Sequence, residues 1–135
     1  MIVVDTNIIG YLYLASEHSP QAEEVLRKDS HWVAPLLWRS ELRNVLALYV
    51  RKNILSLEDA IRLMEEAMTL MQGGEYEVTS PQVLPLAAKS NCSAYDCEFV
   101  ALAQDLNVPL VTVDKQILAQ FPNIAVSLDD YSATQ

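Results

Sequence analysis

The sequence predicts a single α/β domain over residues 1–135, with a mostly parallel central sheet of about five strands and helices on both faces. Two short apolar runs, 2–4 and 110–113, have the β-branched composition of buried strands, and each ends on an aspartate. Helical periodicity fills the intervals between the strand candidates, and parallel neighbours need such crossovers. A chain of 135 residues has room for one core.

The composition narrows the class of protein. Hydrophobic residues make up 51% of the chain and charged residues 20%, which predicts a compact globular protein. The net charge of -9 argues against a nucleic-acid coat held by bulk positive charge and favours cation binding. Two cysteines are too few for a disulfide framework or a zinc site. We expect a cytoplasmic protein, because the sequence shows no signal peptide and no apolar run long enough for a membrane span.

The first half of the chain alternates strands and helices. After the strand at 2–4, a helix is expected at once, and Ser19 is expected to cap a second helix that begins with Pro20 and runs to about Lys28. A second strand is predicted at 31–34. Apolar residues repeat at three and four positions over 37–52, which predicts a long amphipathic helix.

The next helix has clear signals at both ends. Ser56 and Asp59 form a capping-box pattern, and two glycines at 73 and 74 provide the stop. An apolar stripe runs along one side of this helix, and we expect it to face the core rather than an interface. Any exposed remainder would support a dimer or receive an amphipathic helix of a partner in a groove. The stripe consists of Leu57, Ile61, Met64, Met68 and Met71.

The second half repeats the alternation. A strand is predicted at 76–79, and Ser80 and Pro81 predict a helix that bends or restarts at Pro85. Ser93 is expected to head a helix over 95–106. The strand at 110–113 follows, and then a short helix and a weak last strand at 124–126.

Four acids stand at positions where chemistry and ordinary structure are both plausible. Asp5 and Asp114 each lie between a strand and a helix, where aspartate is a preferred N-cap. Asp96 is the third residue after Ser93 and fits a capping box. Glu41 lies on an amphipathic helix, where most glutamates are simply solvated. None of these acids points to a function alone.

Their joint placement predicts a metal site. The carboxyl ends of parallel strands open on one crevice, so Asp5 and Asp114 emerge together if their strands are neighbours. Asp96 and Glu41 lie in the first turns of helices that can reach the same crevice. Like charges this close repel unless a cation or a proton lies among them. Ligands that are all oxygen suit Mg²⁺ or Mn²⁺.

The same residues resemble the PIN domain, in particular VapC-like toxin ribonucleases of toxin–antitoxin pairs. The resemblance rests on Ile2–Asn7, Ser93–Ala103, Leu110–Asp114 and the helix that carries Glu41, and it extends along the whole chain. It implies a Mg²⁺- or Mn²⁺-dependent endoribonuclease that hydrolyses RNA by a metal-assisted route, forms a homodimer and is inhibited by an antitoxin.

The resemblance also implies roles for individual residues. Asp5 and Asp96 would be the principal metal ligands, and Glu41 and Asp114 would hold metal-bound waters or a second ion. The residues that orient these acids would be Thr6, Asn7, Ser93 and Thr112. Position 116 is Gln, where some relatives carry another acid or amide, so a second metal stays open.

Other interpretations stay open at this point. Arg39 or Arg43 would contact the RNA phosphate, or both are ordinary surface arginines of an amphipathic helix. His18 and His31 offer an acid–base ribonuclease route without metal. From a different class, the same fold would serve as a non-catalytic RNA- or protein-binding module, in which the acidic crevice receives an arginine of a partner.

Overall fold

The computed structural model describes residues 1–134 and shows a five-stranded, all-parallel sheet surrounded by helices. The elements in chain order are β1 (Ile2–Val4), α1 (Thr6–Tyr13), α2 (Ser19–Lys28), β2 (Trp32–Pro35), α3 (Leu37–Arg51), α4 (Leu57–Leu70), β3 (Glu75–Tyr76), α5 (Ser80–Ala88), α6 (Ala94–Leu106), β4 (Leu110–Thr112), α7 (Lys115–Gln120), β5 (Ala125–Ser127) and α8 (Leu128–Ala133). The predicted α/β architecture is confirmed.

The strand order is β3-β2-β1-β4-β5, so the direction of winding reverses at β1. Right-handed crossovers then place α1 to α4 on one face of the sheet and α5 to α7 on the other. β1 pairs with β4, with Val4 opposite Val111. The two strands that end on aspartates are therefore neighbours, and the crevice at this reversal lies outside their carboxyl ends.

The core lies on both faces of the sheet. All residues of β1, β2 and β4 are buried, as their continuous apolar runs indicate for strands covered on two sides. Helix α6 packs against β1, β2 and β4, and its central residues 99–103 are all buried. Both cysteines are free and buried. The buried strands β1 and β4 therefore position the residues at the base of the crevice.

Several element boundaries differ from the expectation. Ser19 and Ser80 are the first residues of their helices and not the caps. His18 precedes the first helix, and Thr79 caps the second and donates its backbone N–H to Gln82 Oε1 at 2.9 Å. Helix α5 continues through Pro85, and β3 contains only two residues. The last helix, α8, has no counterpart in the expected pattern. Within residues 1–134, no helix is long and apolar enough to cross a membrane.

The apolar stripe on α4 is only partly core, which corrects the expectation. Met71 is fully buried, but Ile61 is 52% exposed and Leu57 64% exposed. The exposed part faces an apolar groove of about 480 Å³ between α3 and α4, which Arg43 and Arg51 also line. Residues of the same stripe thus lie in different environments. Helix α4 is peripheral and packs mainly against α3 and α1, which leave its outer turns uncovered.

Candidate active site

The structure brings all four predicted acids to one cavity of about 260 Å³ at the carboxyl ends of β1 and β4. Thr6 and Asn7 of the orienting set line it too, and Ser93 and Thr112 lie directly behind its acids. Among residues 1–134, the lining contains no lysine or arginine. The complete lining is Asp5, Thr6, Asn7, Glu41, Asn44, Val45, Asp96, Phe99, Asp114 and Ile117.

Asp5 is the buried anchor of this cavity, with 7% of its surface exposed. As the N-cap of α1, its Oδ1 accepts the backbone N–H of Ile8 at 3.2 Å. Its Oδ2 accepts the hydroxyl of Thr112 and, more weakly, the backbone N–H of Val113 at 3.4 Å. The ordinary capping role and the functional placement are therefore both true of Asp5, because a cap at a strand end already points into the crevice.

The other three acids are half-buried and are held less tightly. Thr6 donates its hydroxyl to Glu41 Oε1 at 2.6 Å, which ties α3 to the first turn of α1. Asp114 caps α7: its Oδ1 accepts the N–H groups of Gln116 and Ile117 at 2.8 and 3.0 Å. These bonds occupy one oxygen of each carboxylate.

Asp96 is positioned by the start of α6. The Ser93 hydroxyl oxygen accepts the backbone N–H of Asp96 at 3.1 Å, so the helix begins where the acid reaches the cavity. Thr112 links Asp5 and Asp114. Its hydroxyl donates to the Asp5 carboxylate and accepts the backbone N–H of Asp114 at 3.0 Å. One threonine thus connects the acids that follow the two central strands.

Burial, joined in two cases by the charge of a neighbouring acid, raises the pKa of three of these carboxylates. Burial raises the pKa of Asp5 to about 6, although the hydrogen bonds it accepts lower it. Burial also raises the pKa of Asp96, and the charge of Asp114 raises it further. The pKa of Glu41 is raised by burial and by Asp96, against the hydrogen bond from Thr6. The folded chain would gain from a proton or a cation in this cavity.

The carboxylate oxygens of this cavity are the ligand type that a hard divalent cation prefers, but they are not yet arranged as a complete coordination site. In the described part of the chain, no three His, Cys, Asp or Glu side chains already stand close enough to hold a metal ion. Four carboxylates nonetheless line one small cavity, and its described lining contains no histidine or cysteine. Mg²⁺ keeps several waters and needs few carboxylates. The residues therefore fit Mg²⁺ or Mn²⁺ if the half-buried acids turn toward Asp5.

The structure does not bring the predicted arginines to this cavity. Arg39 is bound to Glu75 of β3 through two bonds, at 2.6 Å from Nε and 2.5 Å from Nη2, and Trp38 donates to the same carboxylate. Arg43 lines the apolar groove on another side of α3. The role of Arg39 shown here is to fasten the start of α3 to the edge of the sheet, which differs from the expected phosphate contact.

Three other sequence candidates keep their side chains away from the acids. Gln116 donates its backbone N–H to Asp114, but its side-chain amide donates to the carbonyl of Asn91 at 2.8 Å. His18 lies against Tyr11 at the start of α2, and His31 is exposed before β2. Neither histidine lines the cavity. Sequence reasoning missed Asn44, which lines the cavity one helical turn after Glu41; the i, i+3 spacing was the available signal.

Comparison with known proteins gives a family match and a curated relative. The PIN domain family matches residues 2–124. The chain is 29% identical over 124 residues to ribonuclease VapC3 of Pyrobaculum aerophilum, which covers 90% of this chain and 95% of that protein.

Two solved structures share the fold. The crystal structure of PAE2754 from Pyrobaculum aerophilum superposes with a TM-score of 0.77 at 17% identity, covering 97% of this chain and 85% of that one. A toxin–antitoxin complex from Klebsiella pneumoniae gives a TM-score of 0.71 at 15% identity, covering 95% of this chain and 98% of that one. At these identities the likeness establishes the architecture alone.

Proposed function

The chain belongs to the PIN domain family, and from that premise we propose that it is a Mg²⁺- or Mn²⁺-dependent endoribonuclease. We further propose that it is the toxin of a toxin–antitoxin pair and acts in the cytoplasm. The observation that carries the proposal is the convergence of four acids from distant segments on one cavity that has no basic side chain in its described lining. The ribonuclease name of the relative from Pyrobaculum aerophilum supports the same activity.

The chain's own residues define how the reaction would be organised. Asp5 and Asp96 would hold the cation, and Glu41 and Asp114 would hold its waters or a second ion. When bound, the cation would supply an activated water and offset the charge that develops on the phosphodiester. Thr112 and the Ile8 N–H hold both oxygens of Asp5 in place before any cation arrives, so the anchor needs no reorganisation.

The acidity of the site also bears on the substrate. A chain of net charge -9 repels RNA, and its acidic cavity would repel the phosphate most strongly. Only when the cavity holds divalent charge would the scissile phosphate approach the four acids. We therefore expect productive RNA binding and cleavage to depend on the same cation.

The apolar groove between α3 and α4 supports a protein partner. Its exposed Leu57 and Ile61 face solvent beside Met64, and Arg43 and Arg51 lie at the same groove. An amphipathic helix of the antitoxin, apolar on one side and acidic at its edges, would match this surface. The structure neighbour from Klebsiella pneumoniae is itself a toxin–antitoxin complex, which agrees with this partner class. The homodimer stays a prediction from the family resemblance.

Cleavage of RNA by the purified chain, freed of any partner, tests the proposal. We expect Mn²⁺ to support cleavage that leaves 5′-phosphate ends, and EDTA to abolish it. Asp96→Asn should lose the activity, whereas Asp105→Asn, an exposed acid on the same helix, should keep it. Cleavage that survives EDTA and gives 2′,3′-cyclic phosphate would instead support the histidine route. Equal cutting by wild type and Asp96→Asn would indicate a contaminant and favour a binding module.

A further inference from the structure

A second, smaller cavity of about 100 Å³ adjoins the acidic cavity. The two share Thr6, Asn7 and Val45 in their walls, so they form neighbouring compartments of one depression. The small cavity extends along α1 and α3, away from the acids. The activity proposed above makes no use of it.

Aromatic side chains distinguish this second compartment. Tyr11 of α1 and Tyr49 of α3 both line it, and both are only partly buried. The ring of His18 lies against Tyr11, with the ring centroids 4.8 Å apart. Ser19 donates its hydroxyl to the backbone carbonyl of Tyr11 at 2.6 Å, which fixes the end of α1. Tyr11 is therefore contacted at both its ring and its backbone.

Gly10 keeps the compartment open. It lies inside α1, where glycine costs stability relative to alanine because the unfolded chain has more freedom to lose. A Cβ at this position would meet a single neighbouring atom, Leu42 Cδ1, at an ordinary 3.8 Å. Neither a positive φ nor a close backbone approach requires glycine here. Gly10 lines the compartment, and the missing methyl group leaves space next to Leu42.

We propose that this compartment is a nucleobase subsite, in which a base next to the scissile phosphate of single-stranded RNA stacks on Tyr11 and Tyr49. The inference rests on the proposed nuclease function, because it places the phosphate of the same nucleotide in the acidic cavity. Aromatic side chains are the usual platform for unstacked bases, and they bind such bases with little preference for sequence.

The other lining groups fit a base better than an aliphatic side chain. Asn7 stands between the two compartments, and Ser16 and the two tyrosine hydroxyls add polar atoms to an otherwise apolar wall. The Tyr11 hydroxyl is protonated near neutral pH, as in any tyrosine, and burial raises its pKa further. A duplex keeps its bases stacked and unavailable, so the compartment selects single strands.

Binding of a fluorescent six-nucleotide RNA, followed by anisotropy with Ca²⁺ in place of Mn²⁺, tests the subsite without requiring cleavage. We expect Gly10→Ala and Tyr49→Leu each to weaken binding about tenfold. Tyr13→Leu, on the same helix but with its hydroxyl turned to the carbonyl of Glu66, should bind like wild type. Gly10→Ala should also raise the thermal midpoint, so its loss of affinity would not reflect misfolding.

RNAs with one abasic position complete the test. Wild type should lose about tenfold in affinity at one position only, and Gly10→Ala should no longer distinguish that RNA from the intact one. Wild-type affinity in both Gly10→Ala and Tyr49→Leu, or a failure of the wild-type chain to bind the RNA, would overturn the subsite. RNA that binds with these differences but is not cut in Mn²⁺ would refute the nuclease proposal and leave the subsite standing.

Discussion

Helix α3 separates two depressions of opposite character. One of its faces contributes Glu41 and Asn44 to the acidic cavity, and another contributes Leu46 and Val50 to the apolar groove beside α4. The acidic cavity gathers residues from distant segments whose charges oppose folding. The groove gathers neighbours on two consecutive helices whose apolar surface is only partly covered. We therefore expect the acidic residues of the cavity to lower the free energy of unfolding. The apolar residues on α3 and α4 should raise it where they are buried and change it little where they are exposed.

The largest expected effect tests the apolar stripe on α4, whose exposed end lines the groove. Met71 is fully buried at the end of the α4 stripe, and Ile61 of the same stripe is 52% exposed. We expect Met71→Ala to lower the free energy of unfolding by about 2–5 kcal/mol, because it leaves a cavity. Ile61→Ala should lower it by less than about 1 kcal/mol. Urea denaturation of both variants measures the difference, and equal losses would contradict the exposed position of the outer stripe.

The next effect has the opposite sign and tests the cavity. Because the pKa of Asp5 is raised from 3.8 to about 6, the folded chain keeps a proton there that the unfolded chain has released. Asp5 therefore reduces stability as pH rises from about 4 to about 6, and the full cost is present above pH 6. Without metal at pH 7.5, Asp5→Asn should be more stable than wild type by about 1–3 kcal/mol.

Thermal unfolding in EDTA at several pH values checks this expectation. The advantage of Asp5→Asn should shrink steadily as the pH falls and vanish near pH 4, where wild-type Asp5 is protonated in the folded chain. An asparagine variant that is less stable at pH 7.5 would mean that hydrogen bonds to the carboxylate outweigh its burial.

A third prediction concerns how the anchor is held. Thr112→Val removes the hydroxyl that donates to Asp5 and accepts from Asp114. We expect kcat/KM for RNA cleavage to fall about 10- to 100-fold, the usual loss when a group that orients a metal ligand is removed. Thr112→Ser keeps the hydroxyl and should retain most of the activity. Similar losses in both variants would indicate that packing of the threonine methyl group matters, and not the hydrogen bonds.

The smallest expected effect on activity comes from Glu75→Gln. This change weakens the bonds that Arg39 and Trp38 make to β3, so the thermal midpoint should fall. The kcat and KM for RNA should stay within about twofold of wild type, because Arg39 lies outside the acidic cavity. A rise in KM without loss of stability would return Arg39 to the phosphate-binding role expected from the sequence.

The sequence predicts most of the fold for reasons that the structure makes clear. Strands β1 and β4 are buried throughout, so their sequence patterns are continuous and easy to recognise, and an N-cap aspartate comes shortly after each. The two-residue strand β3 lies at an edge of the sheet and is set by pairing with β2, which no local pattern specifies. A serine before a proline suits both the cap and the first position of a helix. The local sequence alone therefore does not show that His18 and Thr79 precede these helices.

The acidic residues of the candidate site could be predicted from the sequence, but the hydrogen bonds and ion pairs around them could not. Strand topology alone brings Asp5 and Asp114 together, because each follows a central strand. The bond from Thr6 to Glu41 and the pairing of Arg39 with Glu75 join residues about 35 positions apart in the chain. Such contacts depend on how α3 packs, so an arginine on its surface looks equally suited to phosphate or to a carboxylate.

Isothermal titration with Mn²⁺ at pH 6.0 and 7.5 tests the central claim, that the four acids together hold a hard divalent cation. Wild type and Asp105→Asn should bind the ion, and Asp96→Asn should bind it much more weakly. Because Asp5 is about half protonated near pH 6, binding there should release more protons than at pH 7.5, as measured in buffers of different ionisation enthalpy. Absence of binding in wild type, or binding that Asp96→Asn leaves unchanged, would contradict the account.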